Sequence, residues 1–421
     1  MSNNTKDWEG AIIGINLSGF PTPVMYNPHT PILNASKDGN VLITGSTGSG
    51  KSHAGMTLAM ISALEGQQTV IVDPKGDEIN LTDLSYQLDG HMDVWSLSED
   101  SRKGSMDPFI VQEKPADKVS KASALIQILC GSLTNEQTTD LQSIIEDEAA
   151  SINPSLSHLM LQLRKNKNPN IRVIGTTLRA VKTSNRISNV LFADPDSERT
   201  GRRKMNDGLT IITMRGMPVP SYGKDFNSYK PDERLSVGIM YLIMDFLYDM
   251  MIDEDTSDIP KTILIDELWR VLITEEGRST VNTILRTGRS MNTACILMTQ
   301  SVSDLDTINS GGNSQGALLN NISTQFAFRY TDDAETGSKA SEIRNLCASL
   351  GISYSDYSET IQGFAPGECI MKDYMGRKSI MRFLQQSQEW SDAFETNPKK
   401  RILIKKRKAA EKKQAEAQGA Y

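Results

Sequence analysis

The sequence predicts an α/β protein with a mainly parallel central sheet, an inserted α-helical subdomain and a β-hairpin near the C-terminus. Three observations predict it. Short β-rich runs alternate with stretches of helical periodicity, the pattern of a parallel sheet with helices on its faces. Between about residues 108 and 205 the strand signal disappears and the apolar spacing is helical. Near the end, GECIMK and KSIMRF flank DYMGR, which reads as two strands joined through a glycine turn.

In chain order, the first candidate strand is Val41–Thr44, followed by GSTGSGKS (45–52) and the helical HAGMTLAMISAL. Further candidates are 69–73, 209–214, 262–266, 294–298 and 325–330. ADKVSKASALIQILCG reads as a helix, and TNEQTTDLQSIIEDEAA as another, opened by a Thr134/Gln137 capping box. SLSHLMLQLRKN and RVIGTTLRAVKTS complete the helical stretch. The gap from Asp73 to Leu209 is too long for one crossover, which favours an insert over helices that merely cover the sheet. LSVGIMYLIMDFLYDMMI (235–252) is the strongest membrane candidate, but it contains Asp245 and Asp249. Its helical spacing favours a buried helix beside the sheet. DEDTSD (253–258) reads as a solvated loop. The expected division is 1–107 for the first part of the core with the phosphate loop, 108–205 for the helical insertion, 206–385 for the second part of the core, and 386–421 for a basic tail.

Composition bounds the class. Of 421 residues, 38% are hydrophobic and 23% charged, a soluble globular balance with length for a sizeable core. The net charge of -7 is unevenly spread: residues 399–421 hold nine Lys/Arg against Glu411 and Glu416. Such a tail reads as a flexible solvated end, or as an arm for nucleic-acid phosphates or anionic lipid headgroups. The four cysteines have no CxxC spacing and the four histidines do not cluster with them, which argues against disulfides and zinc. MSNNTKDWEG lacks the regions of a signal peptide.

Five segments carry candidate chemistry. GSTGSGKS has the phosphate-loop spacing between a strand and a helix. Backbone amides of Gly45, Ser46, Thr47, Gly48, Ser49 and Gly50 would form an anion nest, the following helix start with His53 would add its positive end, Lys51 a point charge, and Ser52 a hydroxyl for Mg²⁺. TILIDELWRVL ends a strand in Asp266 and Glu267, the first suited to Mg²⁺ and the second to orienting or deprotonating water; alone, the pair would equally read as a solvated acidic turn. TACILMTQS ends in Thr299 and Gln300, whose amide could sense a γ-phosphate or simply be a polar strand end. VIVDPKGDEIN clusters Asp73, Lys75 and Asp77 on a sharp bend, as a salt-bridged turn or a catalytic group. Finally, Arg286, Arg289 and Arg329 are candidates for a charge supplied to a neighbouring subunit's site, Arg289 first.

Together these pieces resemble the motor domain of the cytoplasmic ATPase of conjugative and type IV secretion systems, within the HerA–FtsK group of P-loop NTPases. The resemblance rests on GSTGSGKS, DPKGD, ILIDELW, and LRTGRSMN running into TQSVSDL, with smaller echoes in LFADPD, LTIITMRGMP and APGECIMKDYMGR. It covers nearly the whole chain. It implies a RecA-like core and a Mg²⁺-dependent ATPase of the additional-strand, catalytic-glutamate type. Glu267, Lys51, Gln300 and Arg289 would then be catalytic, and Ser52 and Asp266 would hold the metal. It further implies a hexameric ring formed in some nucleotide states, partners among membrane-embedded channel components, and a cytoplasmic location at the inner face of the membrane. The work would be pilus assembly or substrate transfer. The alternative is a coupling protein or DNA translocase that grips DNA through ring loops or the basic tail; a nucleotide-binding scaffold without turnover is a third class. Family members carry a large domain before the motor, so an excised motor domain or a short relative is expected. The family's Gly-Glu is Gly76-Asp77 here, and its Arg-Lys pair is Arg286-Thr287.

Overall fold

The computed structural model describes residues 10–76, 78–97, 103–192, 207–218, 220, 224–272, 275–308, 318–330 and 339–417. Asp77 and most of the LFADPD echo lie outside the described residues. The strands are β1 (Ala11–Asn16), β2 (Thr22–Tyr26), β3 (Val41–Thr44), β4 (Gln68–Asp73), β5 (Met92–Ser96), β6 (Leu209–Thr213), β7 (Lys261–Ile265), β8 (Thr293–Thr299), β9 (Thr324–Phe328), β10 (Glu368–Lys372) and β11 (Lys378–Phe383). They form one sheet in the order β2-β1-β11-β10-β9-β3-β8-β7-β4-β6-β5. From β9 to β5 all neighbours are parallel; from β2 to β9 all are antiparallel.

The central strands are buried along their whole length, as parallel strands covered on both faces must be. Alternate side chains feed two separate cores. Val41, Ile43, Ile71, Leu264 and Ile296 face one layer, which includes α2 (Lys51–Leu64); α1 (Thr30–Ala35) is a short turn before β3. Leu42, Val70, Val72, Ile263 and Leu297 face the other.

That second layer is helical: α3 (Pro108–Val111), α4 (Pro115–Cys130), α5 (Asn135–Ala149), α6 (Leu156–Lys165) and α7 (Pro169–Ser184), which fall between β5 and β6 in the chain, then α8 (Pro231–Met251) and α9 (Glu275–Thr287). The Thr134/Gln137 capping box is present at the start of α5. The α8 segment packs in this core with Asp245 and Asp249 paired to Lys121 (2.6 and 2.8 Å), and among the described residues no helix is long and apolar enough to cross a membrane. After β9 come α10 (Lys339–Leu350) and α11 (Tyr354–Gly363), then the β10–β11 hairpin, with Gly376 at φ 79° in its turn.

The stretch 386–421, expected as a basic tail, is largely helical among the described residues. The chain forms α12 (Gln388–Ala393), which buries Trp390 and Ala393, and α13 (Pro398–Ala417). Arg407 pairs with Asp392, and Lys408 with Asp83 at 2.7 Å. The charge run is therefore helical and tied to the body at Arg407 and Lys408, with most of its other cations exposed.

Because β3, β4, β7, β8 and β9 run parallel, their C-terminal ends share one edge of the sheet. That edge carries residues 45–50, 74–76, 266–267, 299–300 and 329, the ground on which the site is built.

Candidate functional site

The loop after β3 is tightly built. Gly45 has φ 148°, and a Cβ there would stand 2.7 Å from the Phe328 Cβ. Gly50 has φ 109°, and its Cβ would stand 2.8 Å from the Gly367 nitrogen. Glycine is thus required where the loop meets β9 and the β10 approach. Ser46 N donates to Arg329 O (2.8 Å), and Gly367 N to Ser49 O (2.9 Å). Gly50 starts α2 with no side-chain cap, so the first-turn amides are left for a ligand or solvent. The Lys51 ammonium bends back to Gly45 O (2.5 Å) and Ser46 O (3.0 Å), and burial pushes its pKa down to about 8.

The acid pair follows β7, two strands from β3 with β8 between them. Asp266 is buried; burial first and the neighbouring Glu267 second push its pKa up to about 7. Glu267 sits at φ 50°, ψ 54°, a left-handed backbone uncommon for a non-glycine residue and held by Glu267 N donating to Asp266 Oδ1 (2.9 Å). Both of its oxygens are engaged. Oε1 accepts from Lys75 Nζ and from Gln300 Nε2 (3.3 Å), and Oε2 accepts from Trp269 Nε1 (2.6 Å). Burial pushes this carboxyl upward, but Lys75 and the two neutral donors outweigh it, and its pKa lies below the usual value.

These groups share one cleft of about 690 Å³, bordered by Lys51, Ser52, Lys75, Asp266, Glu267 and Gln300. The phosphate-loop residues and the acid pair therefore converge. Ser49 Oγ is buried inside the loop with no hydrogen-bond partner among the described residues. His53 also borders the cleft; its ring meets Phe394 edge-on at 5.4 Å, and Nε2 lies 3.4 Å from Leu384 O.

Arg289 is not brought to this cleft. It precedes β8, at the opposite edge of the sheet, and its guanidinium donates to Ser36 O (2.6 Å). Arg286 is exposed on α9, and Arg329 reaches the loop through its carbonyl. Beyond Gln300, Ser301 donates to Glu342 of α10 (2.6 Å), tying the β8 end to the next layer.

Sequence reasoning missed the far wall of the cleft, made by Gly367, Arg382, Phe394 and Lys400. It also assigned no task to Trp269, whose place two residues past the acid pair was the available signal.

A family model described as an AAA-like domain matches residues 34–394. Among curated proteins, the chain is 25% identical over 202 residues to the uncharacterized protein YddE of Bacillus subtilis (strain 168). That match covers 48% of this chain but only 22% of the relative's length. Among solved structures, VirB4 of Thermoanaerobacter pseudethanolicus is similar with TM-score 0.67 at 12% identity, over 90% of this chain and 97% of the other. The plasmid coupling protein TrwB in complex with ADP and Mg²⁺ gives TM-score 0.57 at 16% identity, over 90% and 97%.

Proposed function

The chain belongs to the AAA-like domain family, and on that premise we propose that it is a Mg²⁺-dependent ATP-hydrolysing motor. We place it in a conjugation or type IV secretion apparatus, powering pilus assembly or the transfer of DNA or protein. The observation that carries the reading is the convergence of Lys51 and the 45–52 loop with Asp266 and Glu267 in one cleft. The separation of β3 from β7 by β8 supports the additional-strand, catalytic-glutamate assignment. The fold shared with a VirB4 and with a TrwB that holds ADP and Mg²⁺ supports the choice of nucleotide, metal and apparatus.

In this reading the amides of the loop and of the first turn of α2 bind the phosphates, and Lys51 leaves its two carbonyl partners for them. Ser52 and Asp266 are hard oxygen donors on one cleft and suit Mg²⁺. An Asp that burial has pushed toward protonation is a carboxylate short of a cation, which favours a metal there. Bound Mg²⁺ would supply charge neutralisation on the phosphate oxygens. Glu267, held from three sides, orients the attacking water and accepts its proton, while Gln300 reports the terminal phosphate to α10 through Ser301 and Glu342. Around this centre we propose a hexameric ring, Arg289 acting across its interface, and docking on membrane-embedded channel components at the inner face of the membrane.

Lys51→Ala abolishes hydrolysis; unchanged turnover removes the site. Glu267→Gln keeps ATP bound and slows cleavage by about 10²–10⁴-fold. Equal loss of binding argues against its role with water. The second reading, a coupling protein that pumps DNA directly, is favoured by the exposed cations of α13. DNA-stimulated hydrolysis that is lost when α13 is deleted selects that reading; no stimulation at any salt selects the secretion motor.

A further inference from the structure

The pairing of Lys75 with Glu267 has a use beyond fixing a turn. The two partners are unequally held. Glu267 has a side chain 7% exposed, on a left-handed backbone pinned through its own N–H and by Arg270 N donating to its carbonyl (2.9 Å). Apart from that ion pair, the bonds that hold Lys75 among the described residues lie at its base, where Asp73 Oδ1 accepts from Lys75 N (3.0 Å) and Gly76 N (2.8 Å). Beyond that base run four methylenes, and the side chain is 37% exposed at the rim of the cleft. Lys51 is the other lysine of this part of the cleft, and it sits on the far side of Asp266 and Glu267 in the chain's own strand order. An ammonium has three donors and no acceptor, so one ion can keep a carboxylate oxygen and still bond a phosphoryl oxygen.

We propose that the Lys75 ammonium is a ligand of the terminal phosphoryl group of the bound nucleoside triphosphate, shared between that group and Glu267. The inference rests on the nucleotide reading of the cleft. Its consequence is a discrimination between triphosphate and diphosphate. A terminal phosphoryl group takes up part of the ammonium's bonding, which loosens its hold on Glu267 Oε1 and lets that oxygen accept from water as well. A diphosphate offers no such group, and the ion pair stays closed over the carboxylate.

The test measures the affinities of ADP and of a non-hydrolysable triphosphate analogue, each with Mg²⁺, together with kcat and KM. The chains are the wild type, Lys75→Gln, Lys75→Arg and Lys51→Ala. In Lys75→Gln the analogue weakens about tenfold or more while ADP stays within about twofold, and kcat falls more than KM rises. Lys75→Arg keeps the positive charge and recovers most of the analogue affinity. The unchanged ADP affinity is also the evidence that the two Lys75 variants fold. Equal changes for both nucleotides, or no change for either, overturn the proposal and leave Lys75 as an ion-pair partner alone. A wild-type chain that binds neither nucleotide, or binds both as well after Lys51→Ala, overturns the nucleotide reading itself and this proposal with it.

Discussion

His29 is buried at the start of α1, with Nε2 3.3 Å from Thr262 Oγ1. Burial lowers its pKa from 6.5 to about 4. The unfolded chain therefore binds a proton between those values while the folded chain does not. The stabilisation is complete above the unfolded value and is lost as pH falls through the window, up to about 3 kcal/mol. Urea midpoints measured from pH 7 to pH 4 should fall for the wild type and fall less for His29→Gln; equal slopes would remove His29 as the source. No local pattern announced this residue, because Thr262 lies 233 positions away in the sequence. The loop 45–52 was legible for the opposite reason: its residues are contiguous, and the conformation its glycines allow is local. The Glu267 environment was half legible. The acid pair stands at a strand end that its own apolar run marks, but Lys75 comes from 192 positions earlier.

At the scale of elements, a single buried carboxylate joins α5 to α6. Glu148 is fully buried and accepts from Ser155 N (2.8 Å), His158 Nδ1 (2.7 Å) and Gln162 Nε2 (3.0 Å). Glu148→Ala strands the Ser155 amide in a dry site and costs about 1–3 kcal/mol. Hydrogen exchange should report faster opening of α5 and α6, with protection of β3 and β7 unchanged; uniform loss would show that the helical layer does not open by itself. The elements themselves divide by burial. Central strands were legible because both faces are covered, which leaves apolar runs such as VLIT and TVIV. The sheet's two edge strands, β2 and β5, were not: TPVMY contains a proline, and MDVWS buries only Trp95. Edge strands need no such run, and their polar residues discourage further pairing. The docking of α13 was not legible, because charge density alone argues for a solvated chain, whereas Arg407 and Lys408 find carboxylates on α12 and at Asp83.

At the scale of the whole molecule, the sheet separates Arg289 from the cleft. β8 has seven residues, and about 3.3 Å per residue puts roughly 20 Å between its ends. Arg289 stands before the first of them and Gln300 after the last. A chain alone cannot bring that guanidinium to its own cleft, so any catalytic part for Arg289 requires a second copy. A head-to-tail ring supplies one, since its contacts join two different faces of the subunit. Leu33 and Met291 are exposed on the same two segments that hold Ser36 and Arg289, which gives that face apolar surface to cover. Specific activity of the wild type should then rise with protein concentration. Arg289→Ala should bind nucleotide normally and lose about 10³-fold or more in kcat. The decisive measurement is a mixture. Lys51→Ala subunits keep the arginine but have a dead site; Arg289→Ala subunits keep the site but lack the arginine. Mixed rings contain interfaces at which an intact site faces an intact arginine, so two inactive preparations should recover hydrolysis on mixing. A mixture that assembles yet stays inactive would return Arg289 to its observed bond with Ser36 and leave the search for a shared cation to Arg286 and Arg329.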